Sequence, residues 1–197
     1  MTRIQVIMGT TRTGRFGERV APWVLQRLAE HGLDVELVDL RDYPLPFFDQ
    51  KPPSVTGRNY PMEDMARLGR KLDEADGFVI LTGEYNHGYP AVLKNAIDHT
   101  FVEWQRKPVA FVGWGGVGGA RVIEQLRLVA VELDMAPIRQ AVHILPEVIR
   151  PAFRAHDPTD FSVFEPLEAR LTALAEGLAW WATTLAAGRA AADQKDH

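Results

Sequence analysis

Gly9-Thr10-Thr11-Arg12-Thr13-Gly14-Arg15-Phe16-Gly17 sets three glycines, three threonines and two arginines between an apolar run and a helical pattern. Glycine lets the backbone curl until its N–H groups converge, and the helix start adds the positive end of a dipole. Hydroxyl and guanidinium groups are the donors a phosphate takes. A polar turn whose threonines cap the helix is the simpler alternative, but capping needs neither both arginines nor all three glycines. The Gly9-to-Gly14 spacing imitates the opening of a nucleoside-triphosphate loop. Arg15-Phe16, however, stands where a lysine and a magnesium-binding hydroxyl belong. The segment therefore points to a terminal monophosphate held without a metal.

Two further segments carry unusual chemistry. Thr82-Gly83-Glu84-Tyr85-Asn86-His87-Gly88-Tyr89-Pro90 gathers a carboxylate, an amide, an imidazole and two phenols between an apolar run and a helix. The plainer account is a turn in which Pro90 opens the helix and the tyrosines cover the core. Gly113-Trp114-Gly115-Gly116-Val117-Gly118-Gly119 has five glycines in seven positions. Its letters match a dinucleotide fingerprint, but that motif follows a first strand and needs an acidic residue after the second. The glycines mark a backbone closely approached by a flat ligand, with tight helix–sheet packing as the competing explanation.

Other chemistries find no support. Cysteine is absent, which removes disulfide scaffolds, thiol catalysis and Cys-ligated metals. His31, His99, His143, His156 and His197 fall in no metal-ligand spacing, His99 reading as a packing residue, and no metal is expected. No Gly-x-Ser-x-Gly elbow occurs.

The elements that must position these loops alternate. Apolar runs at Ile4–Met8, Val35–Val38, Gly77–Leu81, Pro108–Val112 and Ala141–Leu145 read as strands. Between them lie helical faces: Val20/Val24/Leu28, with Pro22 placed in the first turn, then Met65/Leu68/Leu72, Leu93/Ala96/Ile97 and Val122/Leu126/Val129/Leu133. Leu167, Leu171, Leu174, Leu178, Trp181 and Leu185 form the clearest stripe, a core or subunit-packing face. Five such alternations predict an α/β fold, a doubly wound five-stranded parallel sheet of order 2-1-3-4-5 with helices on both faces. Its ligand belongs outside the carboxyl ends of the strands, where the winding reverses, so the loops after strands one, three and four are the functional ones. Segments 41–60 and 146–165 read as long loops.

Length and composition agree. The 197 residues suit one domain, read as 1–189 with a polar tail at 190–197. With 46% hydrophobic and 24% charged residues, the chain is neither disordered nor fibrous. A net charge of −4 argues against a nucleic-acid or anionic-membrane partner, and against a strongly acidic electron carrier. No apolar stretch reaches a membrane span or a secretory signal. A cytoplasmic chain is expected.

The three loops resemble the NADPH-dependent FMN reductases of the flavodoxin-like superfamily, small quinone, azo-dye and chromate reductases. Gly9-Thr10-x-Arg12 resembles the Gly-Ser-x-Arg phosphate loop. Glu84-Tyr85-Asn86, continuing to Pro90-Ala91-Val92-Leu93-Lys94-Asn95-Ala96-Ile97-Asp98, resembles the Pro-Glu-Tyr-Asn…Pro-x-x-Leu-Lys-Asn-Ala-Ile-Asp signature. Gly115-Gly116-Val117-Gly118-Gly119-Ala120-Arg121, with Gln125-Leu126-Arg127, resembles the glycine-rich loop and its helix. The likeness runs from Ile4 to Ile144, with two departures: Thr10 for serine, and Gly83 where proline is usual.

The resemblance implies an enzyme that passes hydride from NADPH or NADH to the N5 of FMN and on to a small acceptor: a quinone, azo compound, metal oxyanion or free flavin. Thr10, Arg12, Arg15 and the backbone through Phe16 and Gly17 would hold the phosphate. Glu84, Tyr85, Asn86 and His87 would line ribityl and ring, mostly through backbone, and Gly115 and Gly116 would bring amides to the pyrimidine edge. No protein acid or base is required, and Tyr85 and His87 are the candidates for touching the acceptor. A homodimer or homotetramer is implied as well. The alternative on the same fold is an electron carrier that serves a partner protein without oxidising NAD(P)H itself.

Overall fold

A computed structural model describes residues 2–157 and 159–194. Five strands, β1 (Arg3–Met8), β2 (Asp34–Asp39), β3 (Gly77–Gly83), β4 (Pro108–Trp114) and β5 (Ala136–Ile144), form one parallel sheet of order β2-β1-β3-β4-β5. The expected winding is therefore observed. Its helices are α1 (Gly17–Glu30), α2 (Pro53–Thr56), α3 (Glu63–Asp73), α4 (Ala91–Asp98), α5 (Ala120–Glu132), α6 (Pro146–Arg154) and α7 (Glu168–Asp193).

The central strands are apolar on both faces because both are covered. Ile4, Val6, Met8, Val79, Leu81, Ala110 and Val112 turn toward α1 and α7, where Trp23, Leu171, Leu174 and Leu178 meet them. Ile7, Phe78, Ile80, Val109 and Phe111 turn the other way, onto Leu68, Leu72, Leu93, Ile97 and Leu126 of α3, α4 and α5. The α7 stripe is core through Leu178, whereas Trp181 stays exposed. His99 is buried, its Nε2 2.9 Å from the Pro46 carbonyl, which is a packing role.

Several boundaries differ from expectation. β5 begins at Ala136, since its register against β4 slips between Val109 and Phe111, and Arg139 and Gln140 at that irregularity break the apolar pattern. Arg127 covers the slipped edge, donating to the carbonyls of Ile138 (2.6 Å) and Arg139 (3.0 Å). Segment 146–165 holds α6 and the start of a 3-10 turn at Ser162–Leu167; its prolines mask the helix, Pro146 opening it and Pro151 lying inside. Segment 41–60 holds α2 and the end of a 3-10 turn at Leu40–Asp42. α1 starts at Gly17, which places Pro22 in its second turn. α7 runs to Asp193, into the segment read as a tail, whereas 195–197, with His197, lie outside the described residues. Among the described residues, no helix is long and apolar enough to cross a membrane.

Candidate functional site

The β1–α1 loop is held from behind. Arg15 does not reach outward: its guanidinium folds under the loop, donates to the Thr10 carbonyl and pairs in fork fashion with Asp39 at the end of β2, with Nη1–Oδ1 at 2.7 Å. Burial works against the Asp39 charge, but Arg15 and the Arg41 amide outweigh it and keep the carboxyl below its usual range. Arg41 takes the next carbonyls, with Nε 3.1 Å from Thr11 O and Nη2 bonded to Arg12 O, while Nη1 pairs with Glu18 at 2.6 Å.

This bracing has a direct consequence. In a trans peptide the C=O of one residue and the N–H of the next point in opposite directions. Tethering the carbonyls of Thr10, Thr11 and Arg12 to the rear therefore turns the amides of Thr11, Arg12 and Thr13 to the front. Among the described residues, these amides and that of Gly14 have no protein acceptor. The Arg12 guanidinium is exposed beside them, lies 5.4 Å over the Tyr85 ring, and has no carboxylate partner among the described residues.

The expected phosphate residues thus separate. Arg12 is at the mouth. Thr10 is buried, its hydroxyl facing Met8 Sδ at 3.7 Å, a weak acceptor. The Phe16 ring packs against Trp114, Phe153 and Phe164. Gly17 seats α1 on β1, where a Cβ would run into Met8. Asp39 and Arg41 were not singled out in the sequence. The signal was the order 2-1-3-4-5, which sets the end of β2 beside the loop after β1.

The β3–α4 loop is a tight turn. Tyr85 and Gly88 exchange both backbone hydrogen bonds (2.9 and 3.0 Å), leaving Asn86 and His87 at its tip with φ of 50° and 69°. Such a two-residue turn directs the tip amides away from its own ladder. Gln125 of α5 holds the His87 carbonyl at 2.9 Å. The Glu84 carboxylate is not free for a ligand. It pairs with Arg121 (Nε–Oε1 2.6 Å) and accepts the Arg121 amide at the start of α5. Burial disfavours its charge, but Arg121 prevails and lowers the carboxyl from its ordinary value.

Packing explains most of the β4–α5 glycines. A Cβ at Gly113 would strike Ile123 and one at Gly118 would strike His143, while Gly115 (φ 154°) and Gly119 (φ 71°) adopt backbone that favours glycine. Gly116 alone has an ordinary φ and open space where a side chain would go. The amides of Gly115 and Gly116 have no protein acceptor among the described residues. Three loops thus present unused donors along one sheet edge: convergent amides with one unpaired cation at β1, and flat tracts of amide at β3 and β4. A phosphate fits the first set, and a planar ring with acceptor atoms on its rim fits the other two.

Comparison with known proteins agrees with that donor set. The profile of the NADPH-dependent FMN reductases matches residues 2–148. The chain belongs to that family. It is 41% identical over 144 residues to an NAD(P)H-dependent FMN reductase of Schizosaccharomyces pombe, covering 71% of this chain and 72% of that one. It is 32% identical over 146 residues to a 2-hydroxy-1,4-benzoquinone reductase of a Burkholderia species, covering 70% and 75%. Among solved structures, the flavoenzyme NAD(P)H:(acceptor) oxidoreductase FerB of Paracoccus denitrificans superposes with a TM-score of 0.70 at 22% identity, over 93% of this chain and 98% of that one, a likeness of fold. The protein is an FMN-dependent NAD(P)H oxidoreductase, which sets the electron-carrier alternative aside.

Proposed function

We propose that the three loops form the FMN site and that the enzyme reduces a small planar acceptor, a quinone above all. The observation that carries this reading is the row of unpartnered amides on three neighbouring loops, with Arg12 as the one cation at their mouth lacking a carboxylate partner among the described residues. The amides of Thr11 to Gly14 and the Arg12 guanidinium bind the phosphate. Arg15, Arg41 and Asp39 act through the backbone, holding those amides forward. Thr10 sets the base of the loop.

When bound, FMN supplies hydride acceptance from NAD(P)H and delivery to the second substrate. The chain's task is to place it. Asn86, His87, Gly115 and Gly116 offer N–H groups to the ring, and Gly116 leaves its approach open. Fixed donors near a ring that gains negative charge stabilise the charged state without reorganisation. Tyr85, pinned beneath Arg12, and His87, exposed at the turn tip, contact the acceptor. The quinone assignment draws on the Burkholderia relative and on the need for a flat molecule to share the ring's face. A homodimer or homotetramer and a cytoplasmic location complete the proposal; exposed Phe47, Trp180 and Trp181 supply apolar surface for assembly.

The test is an absorbance spectrum of the purified protein followed by steady-state NADPH and NADH oxidation with 1,4-benzoquinones. A yellow protein that bleaches under NAD(P)H and turns over quinone is expected. A protein that retains FMN but leaves every quinone unreduced refutes the acceptor assignment.

A further inference from the structure

Trp114 ends β4 and is paired in register with Gly83, which ends β3, so their side-chain positions lie next to each other on one sheet face. A Cβ at Gly83 would sit 2.9 Å from Trp114 Nε1 and 2.9 Å from Tyr85 Cε1. Neither is a tolerable contact. Glycine stands here, where proline is usual in the resembling motif, because an indole and a phenol fill the space.

The indole occupies a junction. It meets the Phe16 ring edge-on at 5.7 Å, from the first loop, and its carbonyl accepts the Glu84 amide at 2.9 Å, from the second. Its own residue opens the third loop. Only 7% of Trp114 is exposed. Buried indole N–H groups normally have an acceptor, as the two other buried tryptophans show: Trp23 donates to Glu168 (2.9 Å) and Trp104 to Thr100 (2.8 Å). Among the described residues, Trp114 Nε1 has no protein acceptor, yet it is not among the enclosed atoms that lack one, so this N–H, unlike the other two, opens to the outside beside the loops. An unused donor held rigidly where three loops of unused donors meet belongs with them.

We propose that Trp114 is a further cofactor-binding residue, its indole N–H donating a hydrogen bond to FMN, and that Gly83 is the residue that makes room for it. This rests on the assignment of FMN to the three loops. It adds a side-chain contact that the motif does not contain, and it makes positions 83 and 114 a coupled pair. Stiffness that a proline would lend the chain at 83 comes instead from the indole wedged beside it.

The experiment titrates FMN into the unliganded chain while the indole N–H signals are followed by nitrogen-edited NMR, assigned by triple resonance. The Trp114 signal is expected to shift and its exchange with water to slow. Trp114→Phe, which keeps an aromatic ring and loses the donor, should weaken FMN binding by about threefold to tenfold, with the cost of the lost core volume read separately from the melting temperature of the unliganded chain. Gly83→Ala should weaken FMN binding in the Trp114 chain, and that loss should shrink in a Trp114→Ala background, where only the Tyr85 contact remains. Should FMN bind with the Trp114 signal unmoved, or with equal affinity in W114F, the donor role is overturned. Equal effects of G83A in both backgrounds overturn the pairing. If Trp114→Phe does not fold, the NMR titration of the unaltered chain decides. A chain that takes up no FMN at all refutes instead the cofactor site on which the proposal stands.

Discussion

The two ends of the sheet are built from the same strands but treat their polar groups in opposite ways. At the strand starts nearly every charge has a partner. Arg3 pairs with Asp34 (3.0 Å), Arg58 with Asp73 (2.7 Å) and Arg189 with Asp76 (3.0 Å). Lys107 Nζ caps α3 by donating to Leu72 O (3.0 Å) and Asp73 O (3.1 Å), and Tyr60 donates to buried Glu103 at 2.6 Å. That end holds a cleft of about 440 Å³ lined by Arg58, Lys107 and Arg189, yet these three cations already have protein partners. At the strand ends the loop amides and Arg12 are unspent. The difference teaches that concavity alone does not locate a site. Converging donors that no protein group has taken locate it, because they can exchange water for a ligand, whereas donors already bonded to the protein cannot.

If that contrast is right, the largest effect comes from breaking the brace that keeps one end unspent. Asp39→Asn removes the charge facing a guanidinium whose side chain is 4% exposed. Breaking a buried ion pair costs about 3–5 kcal/mol, and the low end, about 3 kcal/mol, is expected here because Glu18 still faces Arg15 Nε at 3.3 Å. Chemical denaturation should show a loss of that order, and FMN affinity should fall with it because the loop amides lose their orientation. Because the Asp39 carboxyl is lowered in the folded state, its stabilisation is full above the ordinary carboxylate range and is lost as pH falls through the folded value. The wild-type advantage over D39N should therefore shrink in acid.

Arg12→Ala sharpens the comparison from the other side. The side chain is exposed and without an ion-pair partner among the described residues, so the melting temperature of the unliganded chain should stay unchanged. FMN affinity should drop about 100-fold, or roughly 2.7 kcal/mol, as expected for a charge-assisted contact to phosphate. Fluorescence quenching of FMN on titration measures it. A large stability loss with intact affinity would make Arg12 a structural residue like those at the opposite end.

The sheet order, the three loops and the family motifs were legible in the sequence because they rest on local patterns: apolar runs, glycine density and a contiguous signature. What could not be read was direction. Arg12 and Arg15 are three residues apart in one loop and look equivalent as letters, but one faces solvent and the other Asp39, a partner 24 residues away that only the β1–β2 pairing brings near. The glycines after β4 were likewise read together, although contacts with Ile123 and His143 account for two of them independently of any ligand. α6 was hidden by its prolines, one at a helix start where proline is welcome and one inside, against the usual rule.

Lys107 tests the satisfied end by pH. Burial lowers its ammonium to about 8 despite the attraction of nearby Asp73. A lysine whose folded value lies below its unfolded one binds fewer protons when folded, so stability rises with pH between the two values. From pH 8 to about 9.5 the wild type should gain about 1.5 kcal/mol relative to Lys107→Met, and FMN affinity should be the same in both. Parallel melting curves across that range check the sign. A flat difference would mean that the lysine stays charged in its pocket.

The smallest effect is the most discriminating, because the fold requires glycine at 119, by backbone angle and by space, and does not require it at 116. Both lie in the loop after β4, and both become alanine by adding one methyl group. At Gly119 that methyl meets the Trp114 amide nitrogen at 2.8 Å on a backbone with φ of 71°, so Gly119→Ala should cost about 1–2 kcal/mol of folding stability. At Gly116 it meets nothing, and glycine loses more freedom on folding than alanine does. Gly116→Ala should leave stability within about 0.5 kcal/mol, or raise it slightly. A glycine the fold does not need is explained by a molecule that lies against it, so the same substitution should weaken FMN binding several-fold. Denaturation and FMN titration on the two variants separate the cases: stability lost at 119, affinity lost at 116. Affinity unchanged in G116A would mean that the ring does not lie over that residue, and the donors at the strand ends would then be shared out differently among the three loops.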